Sequence, residues 1–163
     1  MLMAENSQAW RTDPASLREV IDDPQIFENR LPTAPPLERV WILGMLGRLK
    51  EAAREGEAIL ATASNRFHPL LILAQVYLRQ YRWHDAAMLQ EEALQGARKL
   101  AREALVREQI GKRLFDEGRY QAAAAELEWA MDLYRTTGRS ESQTTACALA
   151  LARAREESFK QNQ

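Results

Sequence analysis

A six-residue segment recurs three times along this chain, at spacings of 34 and then 37 residues. The copies are Gly47-Arg48-Leu49-Lys50-Glu51-Ala52, Tyr81-Arg82-Trp83-His84-Asp85-Ala86 and Gly118-Arg119-Tyr120-Gln121-Ala122-Ala123. Around each stands the same frame at intervals of three, nine and seven: Val40, Leu43, Ala52, Ile59; then Ala74, Tyr77, Ala86, Ala93; then Gly111, Leu114, Ala123, Ala130. A small residue three before a large one puts both on one helical face, the small one admitting a neighbouring helix. The hexapeptide reverses the chain, and its Ala, with the residue seven further on, gives the second helix a narrow apolar stripe for close crossing. One such helix pair cannot bury both of its faces, whereas three stacked pairs share a continuous core.

A 34-residue unit of this kind resembles the tetratricopeptide repeat. Copies fall at about 33–66, 67–100 and 104–137. The second matches in Leu73-Ala74, Tyr77, Ala86 and Ala93, and the third in Ile110-Gly111, Leu114, Gly118, Tyr120, Ala123, Leu127 and Ala130. The first keeps Leu43, Gly47, Leu49 and Ala52, with Val40 at the small position and Gly56 where a bulky residue is usual. The resemblance implies an all-α, right-handed α-α superhelix of three helix pairs. After Gly138, a helix stop, Ser140 opens a capping helix over about 140–159 that gives the stack a solvated outer face.

Such repeats line a concave groove with their first helices. Carried onto this chain, the groove positions are Leu37, Trp41 and Met45, then His68, Leu71, Gln75, Leu78 and Arg79, then Glu108, Lys112 and Phe115. The Lys, Asn and Arg with which some members grip a terminal carboxylate are largely Leu, Trp and Gln here. The groove therefore suits an amphipathic helix or an extended apolar segment of a partner. It is equally open to being covered by the N-terminal lead, with its Ile26, Phe27 and Leu31, or by a second copy.

Residues 1–32 form that lead, ahead of the repeat domain at 33–160. Five of the six prolines precede residue 37, and the first 34 residues hold six acids to three bases. Thr12-Asp13-Pro14 predicts a short helix over Ala15–Ile21, ending at Asp22-Asp23 before Pro24, and 24–35 reads as extended or turn. The three extra residues between the second and third copies fall in a run of helix formers, Glu91–Arg107, which predicts a lengthened helix.

Chemistry is sparse. The chain of 163 residues has two histidines, His68 and His84, one cysteine, no metal-ligand spacing and no phosphate loop, so no catalytic residue, metal or cofactor is expected. Cys147 between alanines reads as a small buried hydrophobe, and Asp22-Asp23 as a helix end rather than a carboxylate pair. A net charge of −1 disfavours a nucleic-acid coat. The cations Arg98, Lys99, Arg102, Arg107, Lys112 and Arg113 read better as a solvated, ion-paired helix face than as a nucleic-acid patch. The longest apolar run, Pro69–Leu78, is half of a membrane span, and the lone cysteine fits a reducing, cytoplasmic setting. The expectation is a non-catalytic protein-interaction module; the alternatives are a self-assembling homodimeric subunit using the same surface, and weak nucleic-acid binding through 98–113.

Overall fold

A computed structural model describes residues 9–138 and 140–163. A small antiparallel hairpin, β1 (Trp10–Thr12) and β2 (Glu19–Ile21), leads into α1 (Pro24–Arg30) and a 3-10 turn at Leu31–Thr33. Then follow α2 (Pro36–Met45), α3 (Leu49–Thr62), α4 (Phe67–Arg79), α5 (Trp83–Gly96), α6 (Leu100–Asp116), α7 (Tyr120–Thr136) and α8 (Glu141–Gln161). The described residues are helical apart from that two-stranded sheet and the connecting turns; α2, α3 and α4 pack on one another in succession, as do α6, α7 and α8.

Each hexapeptide builds the same turn. Its first residue lies in the left-handed region, with φ of 82° at Gly47, 59° at Tyr81 and 78° at Gly118. The next residue, always arginine, donates its backbone N–H to the carbonyl of the large frame residue: Arg48 to Leu43, Arg82 to Tyr77, Arg119 to Leu114, each at 2.9 Å. That 6→1 bond is a Schellman closure, which satisfies a carbonyl at the helix end. The arginine carbonyl then accepts from the hexapeptide's Ala N–H (Ala52, Ala86, Ala123) and starts the second helix. Eleven of the twelve frame residues are buried, Ile59 being the exception, so the frame is a core pattern.

Glycines in the frame's neighbourhood set how closely helices approach. A Cβ on Gly56 of α3 would lie 2.9 Å from Leu73 of α4 and 3.3 Å from Val40 of α2. The departure at Gly56 from a bulky residue thus makes room for Leu73. Ser140 caps α8 by accepting from the N–H of Gln143 at 3.3 Å, and Gly138 ahead of it has φ 65°. The closing helix is present over Glu141–Gln161.

Three expectations for local structure fail. The helix over Ala15–Ile21 is absent: Glu19, Val20 and Ile21 pair instead with Thr12, Arg11 and Trp10. Proline's fixed φ suits the start of a turn as well as a first helical turn, and Val20-Ile21 is a β-branched pair. The extended reading of 24–35 gives way to α1 and the 3-10 turn. Asp23 is not a helix end but an N-cap, its carboxylate accepting from the N–H of Gln25 at 3.1 Å with Pro24 in the first turn. The helix across Glu91–Arg107 is broken: α5 stops at Gly96, Lys99 is extended, and α6 starts at Leu100. Glycine's weak helix propensity ends α5, and the length gained goes into the third pair, whose helices both run 17 residues.

The chain divides into two compact units, one of residues 9–13 and 19–89, the other of 14–18 and 90–163. In the first, α2, α3 and α4 pack mutually around Val40, Leu43, Ala52, Leu73 and Ala74, with Phe27 of α1 fully buried. In the second, α6, α7 and α8 enclose Val106, Ala123, Leu127, Ala130, Tyr134 and Cys147.

Candidate functional site

Of the eleven predicted groove positions, eight fall in the first unit and three on α6 of the second, so each group has its own surroundings. On α2 and α4, Trp41, Met45 and Leu71 are buried, while Leu37, Gln75, Leu78 and Arg79 are half-buried and His68 is exposed. The residues that cover Trp41 come from the lead. Trp10 meets its ring edge-on, centroids 5.5 Å apart at 76°, and Phe27 lies 5.4 Å away. The indole Nε1–H of Trp41 donates to Glu19 Oε2 at 3.1 Å.

Arg79 completes that contact from the far end of α4. Its Nη2 donates to the backbone carbonyl of Glu19 at 2.9 Å and lies 2.8 Å from Met45 Sδ. Glu19 is thereby held twice, by its carboxylate on an indole and by its main chain on a guanidinium. Charge-assisted donation to a backbone carbonyl fixes the register of an extended segment, and the aromatic contact supplies its buried area. The structure thus brings Trp41, Met45 and Arg79 together around one residue of the lead.

The lead is also fastened where it joins α2. Arg30, the last residue of α1, places Nε 3.3 Å and Nη2 3.0 Å from the two carboxylate oxygens of Glu38, whose side chain is 0% exposed. Arg48 pairs with Glu28 at 2.7 Å on the surface.

In the second unit, Glu108, Lys112 and Phe115 lie on α6 and are engaged internally. Glu108 Oε2 accepts from the Tyr134 hydroxyl at 2.6 Å, and its other oxygen is 3.4 Å from Lys112 Nζ. Phe115 is buried against Tyr120, centroids 4.9 Å apart. The next residue, Asp116, receives a two-pronged pair from Arg18, at 2.7 and 2.6 Å. Arg153 donates to the carbonyl of Ala15 at 3.1 Å.

Arg107, Lys112 and Arg113 of the basic run are held in intramolecular contacts. Arg107 sits between Glu103 (2.9 Å) and Glu126 (3.0 Å) with its guanidinium 3.3 Å over the ring of Trp129. Arg113 is buried, donating to Gln90 Oε1 at 2.7 Å and to Glu117. Arg98 and Lys99 are exposed in the break before α6. Cys147 is fully buried, its Sγ donating to the carbonyl of Leu127 at 3.3 Å, and burial above all pushes its thiol pKa up to about 12. Among the described residues, no group of three or more His, Cys, Asp or Glu could hold a metal ion, and no helix is long and apolar enough to cross a membrane.

Two residues central to this face, Trp10 and Glu19, were not among the sequence candidates. Their signal was available: Trp10-Arg11-Thr12 and Glu19-Val20-Ile21 are strand-type triplets on either side of Asp13-Pro14. The helix reading of 15–21 concealed it. No known protein family, curated protein or solved structure matches this chain.

Proposed function

We propose that this chain is a non-catalytic, cytoplasmic protein-interaction module, a tetratricopeptide-like right-handed superhelix that holds segments of other polypeptides on the face of its first helices. The observation that carries the reading is the hold on Glu19. A first-helix face built of Trp41, Met45 and Arg79 engages an extended segment through an indole, an apolar floor and a guanidinium on a main-chain carbonyl. That is the chemistry of peptide capture in a groove. Support also comes from the thrice-repeated Schellman turn and the buried frame, which repeat-protein stacking requires.

Part of this face stays accessible, since Gln75 and Leu78 on α4 are half-buried. The test is affinity purification from the native cell with the full chain and its Leu78→Asp variant. Proteins retained by the wild type and lost by an equally stable variant are expected; identical recovery on both baits would sink the reading.

A homodimer through the same surface is disfavoured because Trp41, Leu71 and Phe115 are already buried within one chain. Self-association has a different candidate surface on α8, where Leu149 and Phe159 are 68% and 67% exposed. Sedimentation of Leu149→Glu beside the wild type checks that second reading.

A further inference from the structure

We infer that the β-hairpin is a built-in ligand: the face beneath it accepts, when the hairpin is away, an extended acidic-aliphatic segment whose glutamate takes the place of Glu19. This rests on the interaction-module reading and names the ligand class of that same face. The surface recognises features any extended polypeptide can offer, a main-chain carbonyl for Arg79 and one carboxylate for the Trp41 indole. Glutamate followed by β-branched residues, as in Glu19-Val20-Ile21, is the pattern it now holds. The positive guanidinium of Arg79 beside the thioether of Met45 favours an acidic occupant over a basic one.

The two strands are the part of the occupant able to lift away, since the turn between them is held by Arg18 on Asp116 and by Arg153 on the Ala15 carbonyl. Each strand is three residues long, and a two-stranded ribbon of that size has little stability of its own. Trp10 is packed by ring contact, and Thr12 and Arg11 are exposed. By contrast the helices beneath it have their own buried frame, Val40, Leu43 and Ala74. Elements with few buried contacts open locally while the core stays closed. A closed hairpin lowers the apparent affinity for any competing segment by the fraction of time the face is free.

The probe is a labelled peptide of residues 9–23, titrated into the full wild-type chain and into the full chain carrying Glu19→Ala. Weakening the internal occupant is expected to tighten peptide binding by at least about tenfold, as the free fraction of the face rises. The same peptide with its own Glu19→Ala change is expected to bind the variant at least about tenfold more weakly, through loss of a charge-assisted hydrogen bond. Equal binding of the peptide to both chains, or none to a folded variant, overturns the inference. Hydrogen exchange on the unmodified chain guards against a misfolded variant. Amides of residues 10–12 and 19–21 should exchange faster than those of α2, whereas equal protection overturns the proposal. A negative peptide result alongside Leu78-dependent partner capture would leave the interaction module standing and remove the built-in ligand alone.

Discussion

Leu127 occupies the space that a side chain on Gly111 would need: a Cβ there would stand 2.6 Å from its Cγ and 2.9 Å from its Cδ2. The obstacle is the branch point of a fully buried leucine, with the Ala123 carbonyl 3.3 Å away, so it cannot swing aside. Alanine would gain about 1 kcal/mol of helix propensity, while overpacking a filled core costs about 1–3 kcal/mol. Gly111→Ala should therefore lower the urea midpoint. Gly118→Ala meets nothing within 4 Å, yet its φ of 78° should cost about 1 kcal/mol by itself. Gly96→Ala, with open space and no left-handed φ, should be neutral or stabilising, which makes it the control.

Tyr81 is the one hexapeptide start that is not glycine, and it is 64% exposed. Relief of its left-handed φ is worth about 1–2 kcal/mol, and the edge contact with Trp83, rings 6.1 Å apart, about 0.5–1.5 kcal/mol. Tyr81→Gly should raise the denaturation midpoint slightly. A fall would mean that the aromatic contact outweighs the strain.

Tyr77 donates its hydroxyl to Glu57 Oε1 at 2.7 Å. Burial first, and then that hydrogen bond, push its phenol pKa up to about 12. Because the folded value lies above the unfolded one, the contribution is complete below about pH 10 and is lost as pH rises towards 12. Absorbance titration of the full chain should show a late phenolate step that Tyr77→Phe removes. The variant's stability should be flatter than the wild type's across pH 10–12.

Cys147 should resist thiol reagents. With its pKa near 12, its thiolate at pH 8 is about a thousandfold scarcer than that of an ordinary cysteine, and the side chain is out of solvent. Disulfide-exchange labelling should proceed in denaturant and be negligible in buffer. Fast native labelling would show that α8 leaves α7 readily.

Glu38 and Arg30 make the fourth measurable pair. Removing one member of a buried ion pair costs about 3–5 kcal/mol, whereas replacing both by apolar residues is often neutral. Arg30 is 36% exposed, so solvent screens the pair: Arg30→Met should destabilise by less than that, and Arg30→Met with Glu38→Leu should recover most of the loss. Additive losses in the double-mutant cycle would show that the fork, at 3.0–3.3 Å, carries no coupling.

Much of the helical architecture was legible because it is local. The three turns need one left-handed residue, one backbone bond back to the large frame residue and an alanine to start the next helix. All are set within ten residues of sequence. Gly111 was visible as a small position and Gly56 as a departure from a bulky one, but which leucine each would admit, Leu127 or Leu73, was not. The closing helix announced itself through Gly138 and Ser140 for the same local reason.

The lead was misread where one signal serves two structures. Asp-Pro opens a helix at Asp23-Pro24 and a turn at Asp13-Pro14, and the difference lies in what the following residues find to pair with. Residues 19–21 become a strand because Trp10–Thr12 lie opposite them and Trp41 lies beneath. Repeat register, helix pairing and core frame were thus determined by the sequence alone, through periodicity and turn chemistry. Only the tertiary structure decided that Arg79 and Trp41 close on Glu19, since a contact spanning 60 residues depends on packing that no local pattern encodes.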